Sequence, residues 1–423
     1  MDSPIEVSNH RVKSYNSTSN GKEYEINFVL HQSTDYDGFD AYFENVKRIV
    51  EAEKDVFGEL PAFDFGSYYF LACYMPQVAG DGMEHRNSTI LTDQNSISNG
   101  GHLQNIGTVT HEFFHAWNVE RIRPASLEPF DFSKANMSGE LWFAEGFTSY
   151  YTALILCRIG ITSKENYAAN LSGTLSYVWN SPARKIFNPI ELSYQAPFTD
   201  AATSIDQVNW ENTSISHYSY GKVLALALDL SLRNLKEEKT LDGFMKSVWE
   251  SYGKNEIPYT IKNLEDSLAD YTTKSFSDHF FGQYIYSSEM PDYEMLLASA
   301  GIDFSSPYEL QASFGAKILN QDNKWLVSSN PAQGSAMYDA GLSKGDHIIS
   351  IDGKLTNNKQ KPNTFLNAYK AGDSVKVIFN RFGQKMETMM TFSPNLSFKT
   401  SLMESVSKEV KKRQNKWLEK AGN

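Results

Sequence analysis

Two histidines four residues apart, in the string His111-Glu112-Phe113-Phe114-His115, constrain this chain more than any other feature. At that spacing on a helix both imidazoles face one way and can grip a single metal ion. A helix is expected here. Asn99-Gly100-Gly101 ends a loop, and Ile106, Val109, Thr110, Phe113, Phe114 and Trp117 then recur at helical spacing with no proline before Pro124. Glu112 stands beside the metal's open position. Zinc in such a site brings the pKa of water to ~7, and a neighbouring glutamate can take the proton as the oxygen attacks a peptide carbonyl. That is metallopeptidase chemistry.

Such a site needs a third protein ligand, usually on a following helix. Glu145 is the best candidate, in the apolar and aromatic run Leu141-Trp142-Phe143-Ala144-Glu145-Gly146-Phe147 that continues helically through Ala153, Leu154 and Leu156. A carboxylate on so apolar a face is costly unless a positive charge meets it. The blander reading of Glu145 is a helix cap.

Together these strings resemble the glycyl aminopeptidase family, the PDZ-bearing gluzincins related to aminopeptidase N. The resemblance runs from His111 through Asn118, Arg121, Arg123 and Pro124, resumes at Trp142-Phe143-Ala144-Glu145-Gly146-Phe147-Thr148, and spans nearly the whole chain. It implies His111, His115 and Glu145 as ligands of one zinc ion and Glu112 as general base. A thermolysin-like catalytic domain acting on peptide N-termini is implied with them. Gly80-Asp81-Gly82-Met83-Glu84 is similar to the family's exopeptidase signature, which would make Gly82, Met83 and Glu84 substrate-binding. Glu84 offers a negative charge to a free α-ammonium group. The following run, Ser88-Thr89-Ile90-Leu91-Thr92, reads as the edge strand on which a peptide would lie. In Ile215-Ser216-His217-Tyr218-Ser219-Tyr220-Gly221, Tyr218 takes the position of the tyrosine that donates to the oxyanion. Here Tyr220 replaces the family's lysine and His217 a frequent tyrosine, which bears on rate and preference more than on reaction type.

From Pro307 to Phe392 the pattern turns to short strands and turns. Gly334 to Gly353 resembles the bacterial PDZ core, with Phe314-Gly315-Ala316 in the position of the carboxylate-binding loop. Phe365 to Tyr369 suits the helix beside that groove, and Val375 to Phe379 with Met386 to Phe392 a closing hairpin across Gly383. Capture of a peptide C-terminus and a purely structural appendage are both open readings of this unit.

With 423 residues and 41% hydrophobic content the chain can fill two or three cores. No apolar run approaches the ~20 residues of a transmembrane helix. The net charge of −12 argues against nucleic acid as a partner. Cys73 and Cys157 read as core thiols. Residues 1–21 are polar and lack a signal-peptide pattern, whereas Tyr24, Ile26, Phe28 and Leu30 alternate as in a strand, and Phe43, Val46, Val50 and Phe57 follow at helical spacing up to Gly58. Family members usually begin with a further β-rich domain and often an export signal. A cytoplasmic location is expected if the chain is complete as written, a periplasmic or exported one if it starts within a longer precursor. At the other end Leu402, Val406, Val410 and Trp417 mark an amphipathic helix among Lys408, Lys411, Lys412, Arg413 and Lys416, suited to a membrane surface or to docking on the acidic protein itself.

The expected fold is α+β. A remnant and strand over residues 1–30 precede a thermolysin-like catalytic domain over 31–306 with a mostly helical second half, then a PDZ domain over 307–395 and a terminal helix within 396–423. The expected function is a zinc aminopeptidase favouring small N-terminal residues. Its expected partners are peptides with a free N-terminus, and a C-terminal peptide at the PDZ domain if that groove is used. The alternatives are a zinc endopeptidase and a PDZ binding module with a dormant peptidase domain.

Overall fold

A computed structural model describes residues 4–200, 209–237, 239–321, 323–356 and 361–419, which form a mixed α/β protein with two hydrophobic cores. The first core begins with strands β1 (Arg11–Ser19), β2 (Lys22–Gln32), β3 (Ser67–Tyr74), β4 (Asp81–His85) and β5 (Ser88–Asp93), in the sheet order β1-β2-β3-β5-β4. The alternating apolar residues of β2 and β3 explain its inner face. Ile26, Phe28, Leu30, Tyr68 and Phe70 are buried there. Helix α1 (Phe39–Phe57) joins β2 to β3, lays Phe39 and Tyr42 against Phe28, and stops at Gly58 with φ 83°. Only glycine reaches that left-handed conformation cheaply.

One strand here was not foreseen, and two expectations are corrected. The polar segment before Gly21 contains β1, which pairs with β2 across an Asn20-Gly21 turn with φ of 50° and 72°. Asn-Gly is the residue pair such hairpin turns favour. A domain boundary at residue 30 would cut through β2, whose sheet continues into β3 and β5. Ser88–Asp93 is not the edge strand, because it is hydrogen-bonded on both sides, parallel to β3 and antiparallel to β4. The tight β4–β5 turn folds residues 81–85 outward, so the free edge belongs to β4.

Beyond the sheet come α2 (Gly101–Gln104), α3 (Ile106–Phe114) and α4 (Leu141–Arg158), then a helical half that includes His217–Arg233, Leu241–Ser251 and Ile261–Tyr271. The strand Ile302–Ser305 leads out of this core. A six-stranded sheet with its own core follows, containing the hairpin Ser374–Arg381 and Gln384–Thr391 turned at Phe382-Gly383. The chain returns through Lys399–Leu402, antiparallel to Ile302–Ser305, and its last helix, Lys408–Leu418, buries Trp417 and Leu418 in the first core. Residues 396–419 are therefore part of the first unit rather than a separate tail. No helix among the described residues is long and apolar enough to cross a membrane.

Candidate active site

The apolar stripe of α3 sets the site. Ile106, Val109, Phe113 and Phe114 turn into the core, which leaves His111 and Glu112 facing a cleft, with His115 at the helix's C-terminal cap. Glu145 comes from the first turns of α4. Its Oε2 lies 3.2 Å from His111 Nε2 and 3.2 Å from His115 Nε2. Both rings are held by their other nitrogen. His115 Nδ1 donates to the Asn118 carbonyl at 2.6 Å, and His111 Nδ1 to Thr152 Oγ1 at 3.3 Å, whose own proton goes to the Thr148 carbonyl. The protons on Nδ1 leave lone pairs on both Nε2 atoms.

The three donor atoms lie within 4.8 Å of one another and could hold one metal ion. Tetrahedral ligands ~2.0–2.1 Å from zinc stand roughly 3.3 Å apart, close to the two distances from Glu145 to the histidines. Charge tells the same story. Burial by itself would lower the pKa of His115, yet the carboxylates of Glu145 and Glu84 hold it well above the ordinary range. Burial would raise Glu145, yet the two imidazoles keep it well below the usual carboxylate range. The donor set fits a divalent metal.

Glu112 is buried, and its Oε2 has no hydrogen-bond partner in the protein. Burial, opposed by His115 and reinforced by Glu84 and Glu145, pushes its pKa up to about 8. Gly82 on β4 is backed against it, so that a Cβ there would overlap the Glu112 carboxyl. Glu84 lies on the same face of β4, and its carboxylate falls within 4.8 Å of the ligating atoms of Glu112 and His115. Met83 does not join them. Strand alternation turns it to the other face, 56% exposed, and it does not line the cleft.

Tyr218 reaches the cleft from the start of His217–Arg233, with its ring 5.9 Å from that of His111 and its hydroxyl donating to Asp200 at 3.2 Å. A contact between glycines brings it there. Gly146 of α4 and Gly221 touch, and a Cβ on Gly221 would overlap the Trp142 carbonyl. Tyr220, in the place of the family's lysine, is fully buried against Trp179 and takes no part in the cleft. The cleft holds ≈ 550 Å³ and is lined by five carboxylates, Asp81, Glu84, Glu112, Glu145 and Asp200, with neither lysine nor arginine among its lining residues.

Two positioning residues carried no assigned role in the sequence. Fully buried Asn118 holds His115 through its carbonyl, while its side-chain amide donates to the Ala144 carbonyl at 3.0 Å and to Thr148 Oγ1 at 3.2 Å, joining α3 to α4. Arg121 is buried too. It donates to the carbonyls of Arg86, Ala116 and Ala62, fixing the β4–β5 turn against the end of α3. The available signal was a pair of polar side chains set among apolar ones just after the metal motif.

Residues 104–224 match the model for M61 glycyl aminopeptidases. The chain carries an M61 glycyl aminopeptidase domain. It is accordingly a metallopeptidase hydrolase. The crystal structure of an aminopeptidase N family protein from Idiomarina loihiensis aligns at TM-score 0.80 and 25% identity, covering 96% of this chain and 70% of that one. An M1 zinc metallopeptidase from Deinococcus radiodurans aligns at TM-score 0.44 and 15% identity, over 67% of this chain and 53% of that one. A comparison with curated proteins returned no match. In this M61 domain, Asn118, Arg121 and the Gly146–Gly221 contact all lie inside the matched segment, so the framework around the cleft is part of it as well as the histidines.

His111, Glu112, His115, Glu145, Tyr218, Gly82 and Glu84 all reach the cleft. Phe314, Gly315 and Ala316 lie in the second core's unit. There Phe314 is buried, and the Gly315 amide already donates to Ser313 Oγ at 3.2 Å.

Proposed function

We propose that the protein is a zinc-dependent aminopeptidase that hydrolyses the first peptide bond and favours small N-terminal residues such as glycine and alanine. The observation carrying this is Glu84, held on a free strand edge within 4.8 Å of the Glu112 and His115 ligating atoms. A carboxylate there meets a free α-ammonium group. One residue spans at most about 3.3–3.6 Å, so the space between such an anchor and the metal centre accommodates a single residue before the scissile bond. An endopeptidase would need that edge clear for further substrate residues.

His111, His115 and Glu145 would hold one zinc ion, which supplies Lewis-acid chemistry by polarising the carbonyl and acidifying water. Glu112 takes the proton from the attacking water and delivers it to the leaving amine. Its raised affinity for a proton suits both halves of that transfer. Tyr218 turns from Asp200 to donate its hydroxyl hydrogen to the oxyanion, and Glu84 keeps the α-ammonium in place. The edge of β4 offers backbone hydrogen bonds to an extended substrate.

The finer reading of the fold accompanies this function, with a thermolysin-like catalytic unit and a PDZ-like second unit. Supporting the latter is the edge strand Ile318–Gln321, next to which a peptide C-terminus would add as a further strand.

Hydrolysis of free and N-acetylated glycyl and alanyl peptides by the zinc-loaded protein, with Glu112→Gln as control, tests the proposal. Cleavage of the free peptides alone, lost in the variant, is expected. Equal cleavage of acetylated peptides would make the enzyme an endopeptidase, and cleavage insensitive to Glu112→Gln would remove the assigned chemistry.

A further inference from the structure

Away from the cleft, a hollow of ≈ 380 Å³ lies where the C-terminal helix crosses the end of His217–Arg233. Arg233, Lys412, Arg413 and Lys416 line it with Glu409 among the described residues, Arg413 also donating to Asn234 Oδ1 at 2.8 Å and to the Ser299 carbonyl at 3.2 Å. So cationic a hollow is notable on a chain with net charge −12. Its floor is the informative part. Arg233 is only 4% exposed. Its Nε donates to Asp229 Oδ1 at 2.9 Å and its Nη1 to the Lys416 carbonyl at 3.4 Å, but its Nη2 is buried with no hydrogen-bond partner. Asp229 is already occupied. Its Oδ1 also receives the Leu241 amide and its Oδ2 the Tyr150 hydroxyl. A buried guanidinium N–H is rarely left without an acceptor, and a guanidinium edge flanked by further cations matches a tetrahedral oxyanion.

We propose that this hollow is a binding site for a small phosphate-bearing anion, held by Lys412, Arg413 and Lys416 above the Arg233 guanidinium. Several converging cations favour a dianion over a single carboxylate. The volume suits phosphate or a small phosphomonoester. The source is soluble rather than a lipid headgroup, because the helix has its apolar side turned inward. Trp417 and Leu418 are buried, and Val406 and Val410 lie against Gly301, leaving nothing apolar to enter a bilayer. The bound anion fastens the C-terminal helix to the helix His217–Arg233, which carries Tyr218. Through Asp229 and Tyr150 it also braces α4, which carries Glu145. The effect is on stability and not on the chemical step.

The test is thermal unfolding of the zinc-loaded full chain in rising inorganic phosphate or glycerol phosphate, against chloride at matched ionic strength, with isothermal titration alongside. The melting temperature is expected to climb with the logarithm of phosphate once the site saturates. Arg233 is too deeply embedded to be the deciding variant. Lys412 is exposed, and Lys412→Glu should weaken phosphate binding at least tenfold while leaving zinc content and peptide hydrolysis unchanged. Those two controls matter because phosphate can also meet the metal. No shift beyond chloride would overturn the proposal, as would an equal shift in Lys412→Glu. Flotation with phosphatidylglycerol vesicles in the absence of any phosphate effect would overturn it too, in favour of a membrane surface.

Discussion

At the scale of single residues, the proposed metal ligands are only as good as what orients them. His115 is aimed by the Asn118 carbonyl, and that carbonyl is held still because the Asn118 side chain is bonded across to α4. Groups that hold a ligating histidine in this way are typically worth about 10–100-fold in metal affinity. Asn118→Ala is expected to weaken zinc binding by about that factor, measured by competition with a chromogenic chelator. Glu53 presents the opposite case. It is fully buried on α1 with neither carboxyl oxygen bonded, and burial, opposed only by His115, raises its pKa well above the usual carboxylate range. An acid that is weaker folded than unfolded binds more protons in the native state. Its contribution therefore becomes destabilising as pH climbs above the unfolded value of roughly 4.3 towards the folded one. Glu53→Gln is expected to flatten the fall in stability between pH 5 and pH 8 that urea melts of the parent protein would show, with the gain largest at the alkaline end. Unchanged pH dependence would mean that the carboxyl is not held neutral.

At the scale of elements, the site is a meeting of α3, α4, β4 and the helix His217–Arg233, and the closest approach among them is between glycines. Gly221 rests on the Trp142 carbonyl and on Gly146, one turn from both Tyr218 and Glu145. A methyl group at Gly221 would force the helices apart. Overpacking of this kind costs about 1–3 kcal/mol, and here it also draws Tyr218 back from the cleft. Gly221→Ala is accordingly expected to lower kcat more than its loss in melting temperature explains, with zinc content retained. These elements were legible in unequal measure. Helix α1, its glycine stop and the His111–His115 helix followed from apolar periodicity and caps. The strand β1 was hidden because its residues are mostly polar and its partner supplies the buried face.

Across the whole molecule, the second unit is inserted between two strands of the first. The chain leaves at Ile302–Ser305, builds a separate core and re-enters beside its own exit at Lys399–Leu402. The last helix then closes the first core. Trp417 is fully buried, and its indole donates to the Tyr150 hydroxyl at 2.9 Å, which in turn donates to Asp229. Trp417→Ala leaves a cavity and an orphaned hydroxyl behind α4. A loss of about 3–5 kcal/mol is expected, measured by chemical denaturation. A loss below about 1 kcal/mol would mean that the helix is a loose appendage.

The sequence by itself determined the chemistry. Candidate metal ligands four residues apart on a helix are a local matter, and a carboxylate in an apolar run calls for either a cation or a proton wherever the chain folds. The tertiary structure alone decided which strand is the free edge, because pairing is settled by the β4–β5 turn and not by the composition of either strand. It also turned Met83 away from the cleft and set Asn118 and Arg121 as braces. The same holds for the basic terminal helix, which lies against the first core with its cations around Arg233. Each of these depends on groups distant in sequence meeting in space, and apolar periodicity carries no record of such meetings.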